Sequence, residues 1–225
     1  MKKKIFIVAL VVCIMAVSIA SASIAYFTDT ESATNTFTSG DVEIALYETN
    51  DEGEKTDVTT VTDHKFTYTN KYPGETFAKK PTIKNVANDA AYVAGIITLG
   101  SGDGADITNL LADDAAVKAF LTGGALNATT GYETKIVRNT TDKTITIYII
   151  ATAEVAKEGE VVLFENVKIP AKWDSAEMAK FANLTIDVKA YAVQKVGFDS
   201  AAAAINAAFG NGADRSNADF APYFA

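Results

Sequence analysis

The chain is poor in the side chains on which disulfide-bonded proteins and many hydrolases depend. It contains one cysteine, Cys13, one histidine, His64, and four prolines among 225 residues. A single cysteine excludes an intramolecular disulfide framework, so a packed apolar core has to hold the fold together. Hydrolytic metal sites use roughly three protein ligands, usually including two histidines. One histidine, without a His-Glu-x-x-His sequence, therefore argues against a zinc peptidase.

The sequence also lacks the residue patterns of nucleophilic active sites and of EF-hand calcium sites. The chain has no Gly-x-Ser-x-Gly sequence, and its cysteine lies in the apolar leader, so no nucleophile stands out. The acidic loop 102–106 offers oxygen ligands for calcium, but it lacks the EF-hand pattern and is more simply interpreted as a solvated turn. We therefore expect no catalytic residues, no cofactor and no bound metal, and hence no enzyme.

The first 25 residues have the three parts of an export signal. A basic start at Lys2, Lys3 and Lys4 precedes an apolar run, and the small residues Ser23 and Ala25 end it. This pattern predicts a signal peptide at residues 1–25, cut between Ala25 and Tyr26. The alternative is an uncleaved anchor, because about 20 apolar residues can span a bilayer. The absence of a following basic cluster favours cleavage, with the membrane contacted only through an uncleaved signal.

The charge of the processed chain limits its partners. Removing residues 1–25 takes away three lysines and no acidic residue, which leaves 17 basic and 28 acidic residues and a net charge of −11. Binding to phosphate backbones needs a basic surface, so nucleic acid is not expected as a partner. We expect a secreted protein, located in the extracellular matrix or at the cell surface.

Most of the chain has the pattern of β-strands. Apolar and polar residues alternate in residues 42–46 and 184–193, and the β-branched segments 134–138 and 144–150 predict a hairpin. Helical spacing appears near residues 105–123 and again at residues 201–209, where Asp199 or Ser200 can cap the helix. Because strands and helices do not alternate as in βαβ units, the chain is expected to be mainly β. The specific prediction is an antiparallel jelly-roll-type β-sandwich with helical insertions.

Three parts are expected after the leader. Residues 26–40 form an extended N-terminal segment, and residues 41–210 form the β-sandwich with its helical insertion near residues 105–123. Residues 211–225 are predicted to be a flexible tail with a few aromatic residues.

Several motifs, in order along the chain, carry a family likeness. The sequences Ala25-Tyr26-Phe27-Thr28-Asp29 and Asn-Thr-Phe-Thr-Ser-Gly-Asp-Val at 35–42 lie at the predicted junction. Pro-Gly-Glu at 73–75, Lys-Asn-Val-Ala-Asn at 84–88, Lys-Ile-Pro at 168–170 and Ala-Tyr-Ala-Val-Gln at 190–194 follow. Together they resemble the TasA/camelysin family of secreted proteins. The likeness covers the junction and most of the β scaffold, but neither the helical insertion nor the C-terminal tail.

This resemblance implies a jelly-roll protein that is cut by a SipW-type signal peptidase and assembled into extracellular fibres of a biofilm matrix. In such fibres the N-terminal segment of one subunit completes the sheet of the next. The implied partners are further copies of the chain, in a head-to-tail homopolymer, and an accessory anchoring or assembly protein. Camelysin was classed as a metallopeptidase, so a cell-surface metallopeptidase remains an alternative, and a monomeric surface adhesin is another.

The composition of the N-terminal segment suits strand donation. Residues 26–37 contain neither proline nor glycine, so every backbone N–H can join a ladder on an exposed sheet edge. The segment is rich in threonine, and its aromatic residues can fill pockets on a neighbour. The alternatives are an unstructured terminus and a strand that pairs within its own subunit. The candidate donor residues are Tyr26, Phe27, Thr28, Thr30, Thr36 and Phe37.

Overall fold

A computed structural model describes residues 28–31, 42–59, 71–211 and 218–225 of the chain. The predicted signal peptide at 1–25, the junction between Ala25 and Tyr26, and His64 lie outside the described residues. Within the described ranges, no helix combines the length and the apolar character needed to cross a membrane. The fold is mainly β, and every strand pairing is antiparallel, as the alternating pattern predicted.

The largest sheet has five strands. They are β1 (Thr28–Glu31), β6 (Ala91–Ser101), β8 (Tyr132–Asn139), β9 (Thr144–Ala151) and β12 (Leu184–Gln194). Their order across the sheet is β1-β12-β6-β9-β8, so β1 and β8 are the edge strands. The predicted hairpin is confirmed, because β8 and β9 pair along their whole length from Asn139↔Thr144 to Tyr132↔Ala151.

Two smaller sheets complete the scaffold. A four-stranded sheet contains β2 (Ile44–Thr49), β3 (Lys55–Asp57), β5 (Lys80–Asn85) and β10 (Glu160–Val162), in the order β10-β5-β2-β3. A three-stranded sheet contains β4 (Thr76–Ala78), β7 (Leu121–Thr122) and β11 (Asn166–Lys168), in the order β4-β11-β7.

One hydrophobic cluster joins all three sheets. It includes Ile44 of β2, Ile97 of β6 and Val167 of β11, which are at most 1% exposed. On β12, alanines 190 and 192 belong to this cluster, and the half-buried residues 184, 186 and 188 pack against it. The even-numbered side of β12 therefore faces the main core, as expected for a strand whose side chains alternate between faces.

Within the described ranges, five short helices lie between or after the strands. They are α1 (Asp114–Phe120), α2 (Gly124–Asn127), α3 (Ser175–Phe181), α4 (Ala201–Phe209) and α5 (Ala221–Phe224). Ser200 caps α4 as predicted, because its side chain accepts a hydrogen bond from the Ala203 N–H at 3.2 Å. Of the helical insertion expected near residues 105–123, α1 is helical, whereas residues 105–113 form turns and irregular backbone.

The end of the chain differs from the flexible tail predicted at residues 211–225. Residues 218–225 pack on the second face of the five-stranded sheet, where Phe220 is completely buried and edge-to-face with Tyr148 and Tyr191. The Tyr223 hydroxyl also donates to Glu133 of β8 at 2.8 Å. The reason is that this face carries a second apolar cluster, which α4 alone does not cover.

A pair of glycines tests how tightly the loops are packed. Gly124 and Gly104 both have positive φ, at +61° and +73°, so alanine at either position costs about 1 kcal/mol of backbone strain. A Cβ on Gly124 would also lie 2.7 Å from the Val162 carbonyl oxygen, whereas one on Gly104 would meet nothing within 4 Å. We expect Gly124→Ala to lower the free energy of unfolding by at least ~2 kcal/mol more than Gly104→Ala. Urea unfolding measures both, and equal losses would contradict the close packing at Gly124.

Candidate functional site

The most distinctive feature of the described chain is one incompletely paired side of β12. On its inner side β12 pairs with β6 over eleven residues, from Leu184↔Ser101 to Gln194↔Ala91. On its outer side β1 pairs with only four, from Val193↔Thr28 to Ala190↔Glu31. Within the described ranges no strand pairs with residues 184–189 on that side. We call these six residues the open edge, since unpaired strand backbone is a template for another strand.

Side chains along the open edge alternate between half-buried apolar residues and exposed polar residues. Leu184, Ile186 and Val188 are half-buried and point toward the main core. Among the described residues, no strand lies beside them on the outer side. Thr185, Asp187 and Lys189 are exposed on the opposite face. A strand that added here would therefore place one row of side chains against apolar residues and the other row toward solvent.

A buried ion pair joins β2 to the connection between β4 and β5. Glu48 follows Ile44 and Leu46 at the next inward-facing position of β2, and its carboxylate accepts a hydrogen bond from the Lys79 ammonium. The two side chains are only 12% and 9% exposed, respectively. We call them the charged pair.

The buried environment of the charged pair disfavours the charged form of Lys79. Burial lowers the pKa of Lys79 to about 8, and the carboxylate of Asp187 on the open edge acts in the opposite direction. The contact with Glu48 also favours the ammonium form. A buried ion pair of this kind commonly costs stability relative to apolar residues of similar size.

The carboxylates of the acidic loop 102–106 accept hydrogen bonds from nearby groups of the same chain. Asp103 accepts hydrogen bonds from the Ser101 hydroxyl, the Ala105 N–H and the Asn183 amide, and the Ser101 bond is the foremost cause of the lowered pKa of Asp103. Asp106 is bonded in the same way by Thr108 and Asn109. Across the described residues, no group of three or more His, Cys, Asp or Glu side chains is placed to hold a metal ion.

The donor residues expected from the sequence are only partly described. Thr28 and Thr30 lie in β1, where their backbones pair with Val193 and Tyr191 of the same chain. Tyr26, Phe27, Thr36 and Phe37 lie outside the described residues. For residues 28–31, the alternative of a strand that pairs within its own subunit is therefore the arrangement observed.

Sequence reasoning missed the charged pair. The signal was present, because the alternation that puts Ile44 and Leu46 in the core also puts Glu48 there. A glutamate at an inward position of a strand indicates either a buried partner or a functional site. The partner, Lys79, is distant in sequence and needs the β2–β5 pairing to identify it.

Comparison of the chain with protein-family models, with curated proteins and with solved structures finds no match.

Hydrogen exchange provides a direct check of the open edge. In an antiparallel strand, alternate amides point to the two neighbouring strands. In residues 190–193, the amides that point to β6 and those that point to β1 are both in paired segments. In residues 184–189 we expect every second amide to exchange much faster than its neighbours. Amide exchange followed by NMR on the unassembled chain measures this pattern. Uniform protection along all of β12 would show that another segment covers the edge.

Proposed function

We propose that this protein is a secreted structural subunit that polymerises into extracellular biofilm-matrix fibres by strand donation. In this proposal a SipW-type signal peptidase cuts between Ala25 and Tyr26, and the mature N-terminal segment then completes the jelly-roll-type sandwich of the next copy. The observation that carries the proposal is the open edge, which begins where β1 ends. The likeness of the junction motifs to the TasA/camelysin family supports the extracellular location and the fibre.

The length of the donor segment matches the strand that would receive it. In the observed register, Thr28 is opposite Val193 and Glu31 is opposite Ala190. Continuing this register in both directions puts Phe27 opposite Gln194 and Phe37 opposite Leu184. The stretch 27–37 therefore has eleven residues, the same number as β12.

The outward row of the donor's side chains suits the face that it would join. Residues directly opposite each other in a sheet share a face, so Phe37, Asn35 and Ala33 would face the main core with Leu184, Ile186 and Val188. Asp29 and Glu31 lie in the same inward row, opposite Ala192 and Ala190. The alternate residues are all hydroxylated and would lie on the other face, which near the open edge is exposed. They are Thr28, Thr30, Ser32, Thr34 and Thr36.

The proposal also uses the position of β2, whose start lies near the upper end of β12. Ile44 pairs with Asn85, whose side-chain amide donates to the Val155 carbonyl oxygen at 2.8 Å. Val155 bridges to Ala91, which is opposite Gln194. The start of β2 is therefore level with the upper end of β12, whereas Leu184 is at the lower end.

The extended length of the chain limits how far the N-terminal segment can reach along β12. From the level of Gln194 to that of Leu184, ten residues of strand rise about 33 Å. If Phe37 lay opposite Leu184, the seven residue steps from Phe37 to Ile44 would reach at most about 25 Å. A donor from a second copy has no such restriction, because its own β2 is elsewhere.

Exchange between copies would therefore increase strand pairing. Among the described residues of one chain, β1 contributes four paired residues, whereas a donated segment 27–37 would contribute eleven. Exchange of an identical element between subunits is an inexpensive route to association. The contact is head-to-tail rather than self-complementary, so it need not close and can extend into a filament.

Truncation tests the role of the donor segment. We expect residues 26–225 to form filaments visible by electron microscopy, and the chain that starts at Ser39 to remain monomeric, because it lacks the whole donor segment. Filaments of equal abundance from both would reject the role assigned to residues 26–38. A monomer from both would favour the surface adhesin.

Disulfide formation between copies tests the direction of donation. The chain from Tyr26 onward has no cysteine, so introduced cysteines report only on the chosen pair. Opposite residues in a sheet are about 4.5–5.5 Å apart at Cα, within the range of a disulfide. A mixture of Thr36→Cys chains and Thr185→Cys chains should form intermolecular disulfides on mild oxidation, detected on a non-reducing gel.

The matched control uses the other edge of the same sheet. A mixture of Thr36→Cys chains and Thr134→Cys chains, with Thr134 on β8, should not cross-link. A single chain carrying both Thr36→Cys and Thr185→Cys that closes efficiently as a monomer would contradict the reach limit, and with it donation between copies.

A further inference from the structure

We propose that Lys79 and Glu48 condense into an isopeptide bond, a covalent cross-link between the two side chains of the charged pair. In this step the Lys79 Nζ forms a bond to the Glu48 Cδ, the bond from Cδ to one carboxylate oxygen breaks, and that oxygen leaves in a water molecule. The inference does not depend on strand donation, because both residues belong to the described scaffold of one chain.

The backbone holds the two residues next to each other. Glu48 is opposite Pro81 in the pairing of β2 with β5, and Lys79 precedes Pro81 by two residues. Such diagonal neighbours on paired strands lie within reach of long side chains. The Lys79 N–H also donates to the Glu165 carbonyl oxygen at 3.2 Å, just before β11. The Lys79 backbone is therefore held from a second side.

The reacting groups are already in contact. The Lys79 Nζ is hydrogen-bonded to the Glu48 Oε1, and that oxygen is bonded directly to Cδ, the atom that the nitrogen would attack. Groups that a fold holds in contact react as if they were at very high concentration. The fold thus supplies the proximity that condensation of two free side chains in water lacks.

Burial favours the uncharged forms that react. An ammonium has no lone pair, so a proton has to pass from Lys79 to Glu48 along their hydrogen bond before the amine can act as a nucleophile. Burial lowers the pKa of Lys79 to about 8, although Asp187 acts in the opposite direction. The water that leaves contains the transferred proton and one further hydrogen of the amine. No other reactant is needed.

The product removes the unfavourable feature of the site. Two buried charges become one neutral amide, which is easier to keep out of water. The side chains of Lys79 and Glu48 are only 9% and 12% exposed. In every other ion pair of the described residues, at least one side chain is 33% exposed or more. The surface pairs lack the burial on which the reaction depends.

The cross-link would give this chain a brace that it cannot obtain from disulfides. Residues 26–225 contain no cysteine. An isopeptide bond would close the stretch from Glu48 to Lys79 into a loop and so restrict the unfolded chain, as a disulfide does. It would join β2 to the connection between β4 and β5, where the three-stranded and four-stranded sheets meet.

Mass spectrometry tests the bond directly. The purified chain, folded and then denatured for measurement, should be lighter by one water molecule than its sequence requires. Trypsin then locates the loss, because Glu48 lies in the fragment that ends at Lys55 and Lys79 lies in the fragment 72–84 when cleavage after Lys79 is blocked. We expect these two fragments to remain joined, and tandem spectra to place the link between the two side chains.

Variants connect the loss of water to the charged pair. Lys79→Arg keeps the positive charge but has no primary amine, so this variant should have the full mass of its sequence. The matched control is Lys55→Arg, in the exposed pair with Glu160 whose Nζ–Oε1 distance is 2.7 Å, and it should retain the deficit.

A second variant guards against misfolding of Lys79→Arg. The combined replacement Lys79→Met with Glu48→Leu leaves no unpaired charge in the core and should also have full mass. Because it lacks the cross-link, we expect it to unfold at a lower urea concentration than the wild-type chain.

Three results would overturn the proposal. The first is a folded wild-type chain of full mass. The second is efficient tryptic cleavage after Lys79 in that chain, because trypsin does not cut at a lysine whose amine is acylated. The third is a deficit of one water molecule that persists in Lys79→Arg, since this would place the loss elsewhere in the chain.

Discussion

The pairing of β12 with β6 is the interaction on which the rest of the structure depends. It extends over eleven residues, and β12 contributes to both hydrophobic clusters. Its upper half is buried on both faces, with Ala190 and Ala192 in the main core and Tyr191 and Val193 under α4. Its lower half is covered on one face only. The same strand is therefore firmly held at one end and able to accept a partner at the other.

The connection between the N-terminal segment and β2 is the second constraint. β2 starts near the upper end of β12, whereas the open edge is at the lower end. In the proposed fibre, this placement favours pairing of the N-terminal segment with another copy of the chain.

Much of the fold follows from local pattern. The β8–β9 hairpin, the alternation of β12 and the cap of α4 were all predicted, since each depends on residues close in sequence. Local pattern also indicates the turn at residues 72–75, where Pro73 precedes Gly74, and the Glu75 N–H donates to the Tyr72 carbonyl oxygen at 3.1 Å. The packed end of the chain was not foreseen. Phe220 looks like part of a polar tail until the second face of the sheet is known to be apolar.

The sequence by itself determined that this is a mainly β protein with a hydroxyl-rich, proline-free segment at residues 26–37, because strand periodicity and backbone compatibility are local properties. Only the tertiary structure decided which strand is paired along just part of one side within the described ranges, and which ions are buried. Both depend on contacts between residues far apart in the chain. Glu48 and Lys79 are 31 residues apart and meet through the pairing of β2 with β5. Strand order and chain reach, which no local pattern contains, determine whether the N-terminal segment can satisfy its own sheet.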